Sequence, residues 1–134
     1  MILVEANREA AAALNPGRRG HYDGGVQISG IPFGITDWSQ IPRTEHRGER
    51  GAAYWRTQHF GDIRVRMVEY SPGYLADHWC QKGHVLLCVE GELETDLTDG
   101  RTFKLTPGMS YQVADGAEPH RSHTAKGARL FIVD

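Results

Sequence analysis

Four residues of types that bind transition metals occur at spacings that could bring them together. His78 and Cys80 are two apart on a predicted strand, so both side chains project from one face, roughly 6.5–7 Å apart along the backbone. His84 follows a short turn that contains Gly83, and His120 begins a strand much later in the chain. Three imidazoles and a thiolate that converge would form a site for a divalent transition metal. Spacing alone equally allows separate histidines with satisfied hydrogen bonds.

The elements that must position these residues are predicted to be short β-strands. After residue 31 the sequence shows no helical period, and apolar runs alternate with turn sequences such as Pro72-Gly73, Asp99-Gly100 and Pro107-Gly108. This pattern predicts an all-β sandwich or barrel. The predicted strands cover residues 52–58, 62–70, 74–80, 84–89, 93–97, 101–105, 109–113, 120–124 and 128–133.

The first thirty residues have a different character. Residues 4–14 are rich in alanine and could form one short helix that ends at Asn15-Pro16-Gly17, and residues 15–30 have the composition of a loop. We therefore expect an N-terminal extension over 1–30 and a single β domain over 31–134, which suits a chain of 134 residues.

Charge and composition exclude several classes of function. The formal net charge is −2 and Lys and Arg are not clustered, so we expect neither a nucleic-acid partner nor a membrane-surface role. No apolar run approaches the roughly 18–20 residues that span a bilayer. Glu5, Arg8 and Glu9 interrupt the region where a secretory signal would be apolar, so the two cysteines are expected to be free thiols in a cytoplasmic protein.

Strand 84–89 is apolar on both faces, which indicates that both faces are covered. One cover is the core, and the other is the N-terminal segment or a second subunit, of which a symmetric homodimer is the commonest solution.

Cys88 is expected to fill the core. Arg66 could clamp a carboxylate if it faced inward, but its alternation with Ile63 and Val65 favours the surface.

Two segments of the chain resemble the motifs of the cupin superfamily. The first cupin motif, Gly-x5-His-x-His-x3-4-Glu-x6-Gly, finds its landmarks in Gly73, His78, Cys80, His84 and Gly91. The second, Gly-x5-Pro-x-Gly-x2-His-x3-Asn, is similar to residues 108–124, where Gly116 and His120 match. Cys80 stands in place of the second His, His84 in place of the Glu and Thr124 in place of the Asn. Ligand-type residues at the first two of these positions favour a retained metal site.

A narrower resemblance is to a small family known for its DHCW motif. Residues 76–80 (Ala-Asp-His-Trp-Cys), 99–101 (Asp-Gly-Arg) and 107–111 (Pro-Gly-Met-Ser-Tyr) carry it. The resemblance implies a single jelly-roll β-barrel of the cupin type over residues 31–134, with a site but without a known substrate.

The metal ligands implied by these motifs are His78, Cys80, His84 and His120. They suit one ion of zinc, iron, nickel or copper. Four ligands could complete the coordination shell of zinc, whereas iron or nickel could keep coordination positions open for water, dioxygen or substrate. Tyr111, on the strand 109–113, could face the cavity and orient or protonate a substrate. His21, His46, His59 and His123 have no partner spacing and are expected at the surface or hydrogen-bonded.

Three functions remain compatible with these residues. The first is a metal-dependent enzyme that acts on a small organic molecule in the barrel, by oxygenase-, isomerase- or lyase-type chemistry. The second is a non-catalytic module that holds a ligand or a structural metal. The third is a metal-free interaction protein. The first two use the same side chains, so the sequence does not separate them.

Overall fold

The structure is a computed structural model that describes residues 28–134. The helix predicted over 4–14, His21 and most of the expected extension lie outside the described residues. Residues Pro32–Asp134 form one compact unit. No helix in the described part of the chain is long and apolar enough to cross a membrane.

The described unit is built almost entirely from strands, as predicted. A short 3-10 helix, Trp38–Gln40, precedes nine strands: β1 Thr44–Arg47, β2 Ala52–Phe60, β3 Ile63–Tyr70, β4 His84–Gly91, β5 Leu93–Leu97, β6 Thr102–Leu105, β7 Ser110–Val113, β8 His120–His123 and β9 Ala128–Val133. Strands β2 to β9 confirm eight of the nine predicted segments. Strand β1 was not predicted, because all four of its residues are exposed and show no alternation.

The strands form two antiparallel sheets with the core between them. The larger sheet has the order β1-β2-β3-β9-β4-β7, and the smaller one has the order β6-β5-β8. They pack as two layers and are not closed into one continuous barrel. The fully buried side chains at the centre are Leu86, Cys88, Leu93 and Leu130. Cys88 therefore fills the core, as expected.

The strand predicted over 74–80 is wrong, and the reason lies in its pairing with β8. The amide of Ala76 donates to the carbonyl of Ser122 at 3.0 Å, and Cys80 and His120 exchange two backbone hydrogen bonds of 2.7 and 3.0 Å. Ser122 and His120 are two residues apart, whereas Ala76 and Cys80 are four apart. Because this segment has two more residues than β8 between the same two backbone bridges, residues 77–79 cannot stay paired and bulge outward. This bulge breaks the parity that was expected to place His78 and Cys80 on one face.

Strand β3 alternates as predicted, but its faces are exchanged. Arg66 pairs with Ile132 of β9 and Val68 pairs with Leu130, so these side chains share the inner face of the sheet. Arg66 is only 6% exposed. Its expected surface position is wrong, because a buried carboxylate on the inner face, described below, binds its guanidinium. Val65 and Met67, which were expected to face the core, lie on the outer face instead.

The outer face of β4 remains open within the described residues. Leu86 and Cys88 point into the core, whereas Val85, Leu87 and Val89 are 54%, 37% and 39% exposed. Phe131 and Val133 of the neighbouring strand β9 lie on the same outer face, and Trp38 meets Phe131 edge to face at 6.4 Å between ring centroids. The second cover that the sequence predicts for this strand is therefore not supplied by residues 28–134.

Candidate functional site

Two of the predicted ligands meet between the sheets. His84 begins β4 on the larger sheet and His120 begins β8 on the smaller one, so the two layers present their imidazoles to each other. Their Nε2 atoms are 3.1 Å apart, and the rings meet edge to face with centroids 4.9 Å apart. Both side chains are buried.

Tyr111 completes this group from β7. It pairs with Leu86 of β4, which puts its ring on the inner face, and its hydroxyl lies 2.9 Å from Nε2 of His84. Burial raises the pKa of Tyr111 above its ordinary value, and the neighbouring Tyr70 and Cys80 act in the same direction. The phenol is therefore protonated at neutral pH and can donate a hydrogen bond.

Cys80 lies beside His120 through the backbone bridge described above. Hydrogen bonding to the His120 imidazole lowers the pKa of the Cys80 thiol, against the opposing effect of burial. The same contact raises the pKa of His120. Each group therefore stabilises the charged form of the other. Of the predicted ligands, His120 is thus adjacent both to His84 and to Cys80.

His78 is not brought to this group. It lies on the bulge over residues 77–79, its side chain is 72% exposed, and its Nδ1 is 2.6 Å from a carboxylate oxygen of Asp77. Within residues 28–134, no three His, Cys, Asp or Glu side chains already form a metal-binding group. The structure therefore offers two imidazoles, a thiol and a phenol, rather than the four ligands that the motifs imply.

The second nitrogen of each imidazole decides which protonation states are possible. Nδ1 of His120 lies 2.9 Å from the carbonyl oxygen of Glu118 and must donate to it, so Nε2 of the neutral ring carries a lone pair. Nδ1 of His84 is buried, has no hydrogen-bond partner among the described residues, and faces Asp134 Oδ2 at 3.7 Å. Burial, followed by the charge of His120, lowers the pKa of His84 to about 4, so this ring is neutral at neutral pH.

A neutral His84 conflicts with a neutral His120 in either tautomer of His84. With the proton on Nδ1, the Nε2 lone pair of His84 accepts from the Tyr111 hydroxyl but also faces the lone pair of His120 at 3.1 Å. With the proton on Nε2, the Nδ1 lone pair of His84 faces the Asp134 carboxylate at 3.7 Å. A cation between the two Nε2 atoms removes the conflict, with the proton of His84 held on Nδ1 towards Asp134. In the metal-free protein, a second proton on His120 can be that cation, and a metal ion would take its place.

A buried ion cluster lies behind His84, and the sequence analysis missed it. Arg64 donates to both oxygens of Asp134, at 2.7 Å from Nε and 2.9 Å from Nη2, and Nη2 of Arg66 donates to Oδ2 at 2.9 Å. The Asp134 side chain has no exposed surface. Burial alone would raise its pKa, but the hydrogen bond from Arg64 and the charges of both arginines outweigh this, so its pKa lies below the ordinary value. The arginines at every second position of β3 are the signal that could have revealed the cluster.

A cavity of about 200 Å³ adjoins His120. Leu97, Phe103 and Val113 give it apolar walls, and Tyr111 and His120 also line it. The exposed ion pair between Arg101 and Glu118, 2.6 Å long, borders the same space. The cavity can therefore hold a small, largely apolar molecule with one end against the His120 imidazole and Tyr111.

The fold is shared with many solved structures. The chain aligns with ectoine synthase from P. lautus over 75% of its own length and 76% of that chain, at 20% identity and a TM-score of 0.62. It aligns with an RmlC-like cupin from Shewanella frigidimarina over 77% and 90% of the two chains, at 18% identity and a TM-score of 0.61. The chain has the cupin fold.

The cupin fold confirms the architecture predicted from the two motifs. A third structure with this fold, Fe(II)-HppE with an alternative substrate, covers 76% of this chain and 60% of its own at 15% identity and a TM-score of 0.62. No family model and no curated protein matches the sequence. The resemblance to the DHCW family stays a prediction.

Proposed function

We propose that His84 and His120, together with Cys80, bind one divalent transition metal ion, and that the chain is a metal-dependent enzyme for a small organic molecule. The observation that carries this proposal is the pair of buried Nε2 atoms, 3.1 Å apart, whose lone pairs converge on a point that a single cation can fill. Two nitrogen ligands at about 2.1 Å from one metal ion lie roughly 3.0–3.4 Å apart. The donor set of imidazole and thiolate suits zinc, iron, nickel or copper.

The surrounding residues have the roles that such a centre needs. The carbonyl of Glu118 and the carboxylate of Asp134 face the outer nitrogens of the two rings, which directs both Nε2 atoms inward. Tyr111 holds a proton next to His84 and can donate it to a substrate oxygen. The metal would act as a Lewis acid or activate dioxygen, while the apolar cavity walls exclude water.

The position of His78 favours an enzyme over a structural metal site. Four protein ligands close the coordination shell of a structural zinc ion, whereas catalytic sites keep a position for water or substrate. With His78 on the outward bulge, three protein ligands remain and a position faces the cavity. Fe(II)-HppE, which shares the fold, carries iron, and this supports iron as one candidate metal. The alternative is a non-catalytic module with a closed metal shell.

Metal titration tests this proposal. Chelator-treated protein is titrated with Co²⁺, Fe²⁺ and Zn²⁺ by calorimetry, in the wild type and in the His84→Ala, His120→Ala and His59→Ala variants. We expect one ion per chain, binding at least 100-fold weaker in the first two variants, and wild-type affinity in His59→Ala, since His59 is exposed. A wild type that binds no ion, or central variants that bind like the wild type, would refute the proposal.

A probe anion separates the enzyme from the structural module. Azide added to the Co²⁺ protein changes the visible spectrum if a coordination position is open. We expect this change. An unaltered spectrum would favour the closed, non-catalytic site.

We also propose that a second copy of the chain covers the outer face of β4 and β9. Val85, Leu87 and Val89 form an exposed apolar stripe, and a two-fold axis would place the same stripe of another copy against it. We further propose the cytoplasmic location that the sequence predicts, in which Cys80 and Cys88 stay free thiols.

A further inference from the structure

We propose that Thr95 is a substrate-binding residue, and that the substrate is a small uncharged molecule with an apolar body and one hydroxyl or carbonyl oxygen. This inference rests on the proposed function, because it names the chemical class of the molecule that the enzyme would take. The feature that carries it is a buried hydroxyl without a hydrogen bond, on a residue in the wall of the cavity beside His120.

Thr95 points into the space between the two sheets. It lies on β5, where it is buried while its neighbours Glu94 and Asp96 are only partly buried, so it belongs to the inner face of the smaller sheet. The residue is 3% exposed, and it lines the cavity together with Tyr111 and His120. A molecule that fills the cavity therefore contacts Thr95 as well as His120.

The Thr95 hydroxyl lacks the partner that a buried hydroxyl needs. Its Oγ1 is buried and makes no hydrogen bond with any group of residues 28–134. The Tyr111 hydroxyl lies near it, but the hydrogen bond of Tyr111, 2.9 Å long, is with His84. Leaving a hydroxyl buried without a partner costs free energy, so the large majority of buried hydroxyls in proteins are hydrogen-bonded. A ligand oxygen in the cavity would supply the missing partner.

Rotation about χ1 can turn this hydroxyl towards the cavity. Threonine carries a methyl group and a hydroxyl group on Cβ, and a step from one staggered position to the next exchanges the two. No hydrogen bond holds the Thr95 hydroxyl in its present position. The rotation therefore breaks no polar contact that a ligand would have to replace.

The rest of the cavity wall favours an uncharged, mostly apolar body. Leu97, Phe103 and Val113 are apolar. Among the described residues, Arg101 and Glu118 are the lining residues of the Lys, Arg, Asp and Glu types, and they are exposed and bind each other at 2.6 Å. A charged group inside the cavity would lose water without gaining an unpaired counter-charge from these residue types, which is unfavourable. A single oxygen that meets the Thr95 hydroxyl carries no such cost.

Three fluorinated probes test the inference by fluorine NMR on chelator-treated protein. The probe para-fluorophenol carries one oxygen, para-fluorotoluene has a methyl group in place of that hydroxyl, and para-fluorobenzoate carries a negative charge. An apolar protein cavity of about 150 Å³ holds a benzene molecule, so a cavity of about 200 Å³ has room for these rings. Each probe is titrated in the millimolar range at pH 7. We expect para-fluorophenol to bind more tightly than para-fluorobenzoate.

Two variants provide the matched comparison. Thr95→Val removes the hydroxyl and keeps the shape of the side chain. We expect the preference for para-fluorophenol over para-fluorotoluene, taken as the ratio of their dissociation constants, to fall about three- to tenfold, which corresponds to one hydrogen bond. Thr102→Val is the control, because the Thr102 hydroxyl donates to Asp96 at 2.8 Å and Thr102 does not line the cavity. We expect this variant to keep the wild-type ratio.

Urea unfolding without a probe separates a binding role of Thr95 from a structural one. A hydroxyl that holds the fold together would lower the urea midpoint when it is removed. Because the Thr95 hydroxyl has no partner in the described residues, we expect Thr95→Val to unfold at the wild-type midpoint or above it.

Any of four results would overturn the inference: a wild type that binds none of the probes, a para-fluorobenzoate complex tighter than that of para-fluorophenol, a ratio that Thr95→Val leaves unchanged, or a Thr95→Val variant that is clearly destabilised. The comparison of the charged with the uncharged probe needs only the wild type. Because no metal is present, the expected probe binding without metal binding would refute the proposed function alone. Metal binding with an unchanged ratio in Thr95→Val would refute this inference alone.

Discussion

Replacing Asp134 by Asn tests whether the buried ion cluster holds the sheet together behind His84. The change keeps the shape of the side chain but removes its charge, and it puts an amide NH₂ where a carboxylate oxygen accepted hydrogen bonds from arginine. Asp134 joins the end of the chain after β9 to β3, through both its side chain and its backbone bonds with Arg64. The variant therefore leaves two neighbouring guanidinium groups facing each other without their shared partner.

The expected cost follows from the number and burial of these contacts. Three charge-assisted hydrogen bonds are lost or weakened, and removing one partner from a buried ion pair costs about 3–5 kcal/mol. Arg64 is about one third exposed, so water can solvate it after the change. We therefore expect the free energy of unfolding to fall by about 3 kcal/mol, at the lower end of this range.

Urea unfolding at pH 7 measures this loss. With a slope of about 2 kcal/mol per molar urea, the midpoint should fall by roughly 1.5 M. The control is Glu90→Gln, which breaks an exposed ion pair with Arg129 and should change stability by less than about 0.5 kcal/mol. A loss below about 1 kcal/mol in Asp134→Asn would contradict the idea that this carboxylate holds two buried charges.

The pH dependence of stability gives a second check on the same residue. The pKa of Asp134 is lower in the folded protein than in the unfolded chain, so the unfolded chain binds the proton first as the pH falls. Its stabilising contribution is complete above the unfolded value of about 4 and is lost as the pH falls further. We expect the wild type to lose stability in this range more steeply than Asp134→Asn. Parallel curves would contradict the lowered pKa.

Three further predictions concern the site, a turn and the outer face. Tyr111→Phe removes the donor to Nε2 of His84 and should destabilise the metal-free protein by about 1–2 kcal/mol in urea, and by less with Co²⁺ bound; an equal loss in both forms would contradict this. Gly91→Ala should cost about 2–3 kcal/mol in thermal unfolding, because φ is +76° and the new Cβ would overlap the carbonyl of Gly127; an unchanged melting temperature would contradict it. Leu87→Glu should convert a dimer to a monomer in light scattering; a wild-type monomer would refute the dimer.

The strands could be predicted from the sequence because their boundaries are local. Turns such as Asp99-Gly100 and Pro107-Gly108 separate short apolar runs, and β4, β5 and β9 coincide with three of these runs. The failure at residues 74–80 has the opposite origin. The bulge arises from pairing with β8, whose partner residues lie 40 to 46 residues later in the chain. No local sequence pattern shows how many residues will fit between two such distant hydrogen bonds.

The site was only partly predictable for the same reason. His84 and His120 could be singled out by residue type, and their convergence follows from two facing sheets. The inner position of Arg66 could not be predicted. Alternation shows that a segment is a strand, but it does not show which of the two faces is buried. Its partner Asp134 lies 68 residues away in the chain, so only the pairing of β3 with β9 reveals the cluster.

Anomalous diffraction from crystals grown with Co²⁺ or Zn²⁺ is the most direct test of the metal centre. One anomalous peak per chain is expected between the two sheets, at about 2.0–2.2 Å from Nε2 of both His84 and His120. A peak that contacts only one of these imidazoles, a peak at the exposed His78 alone, or rings turned away from each other around an empty centre would contradict the proposal.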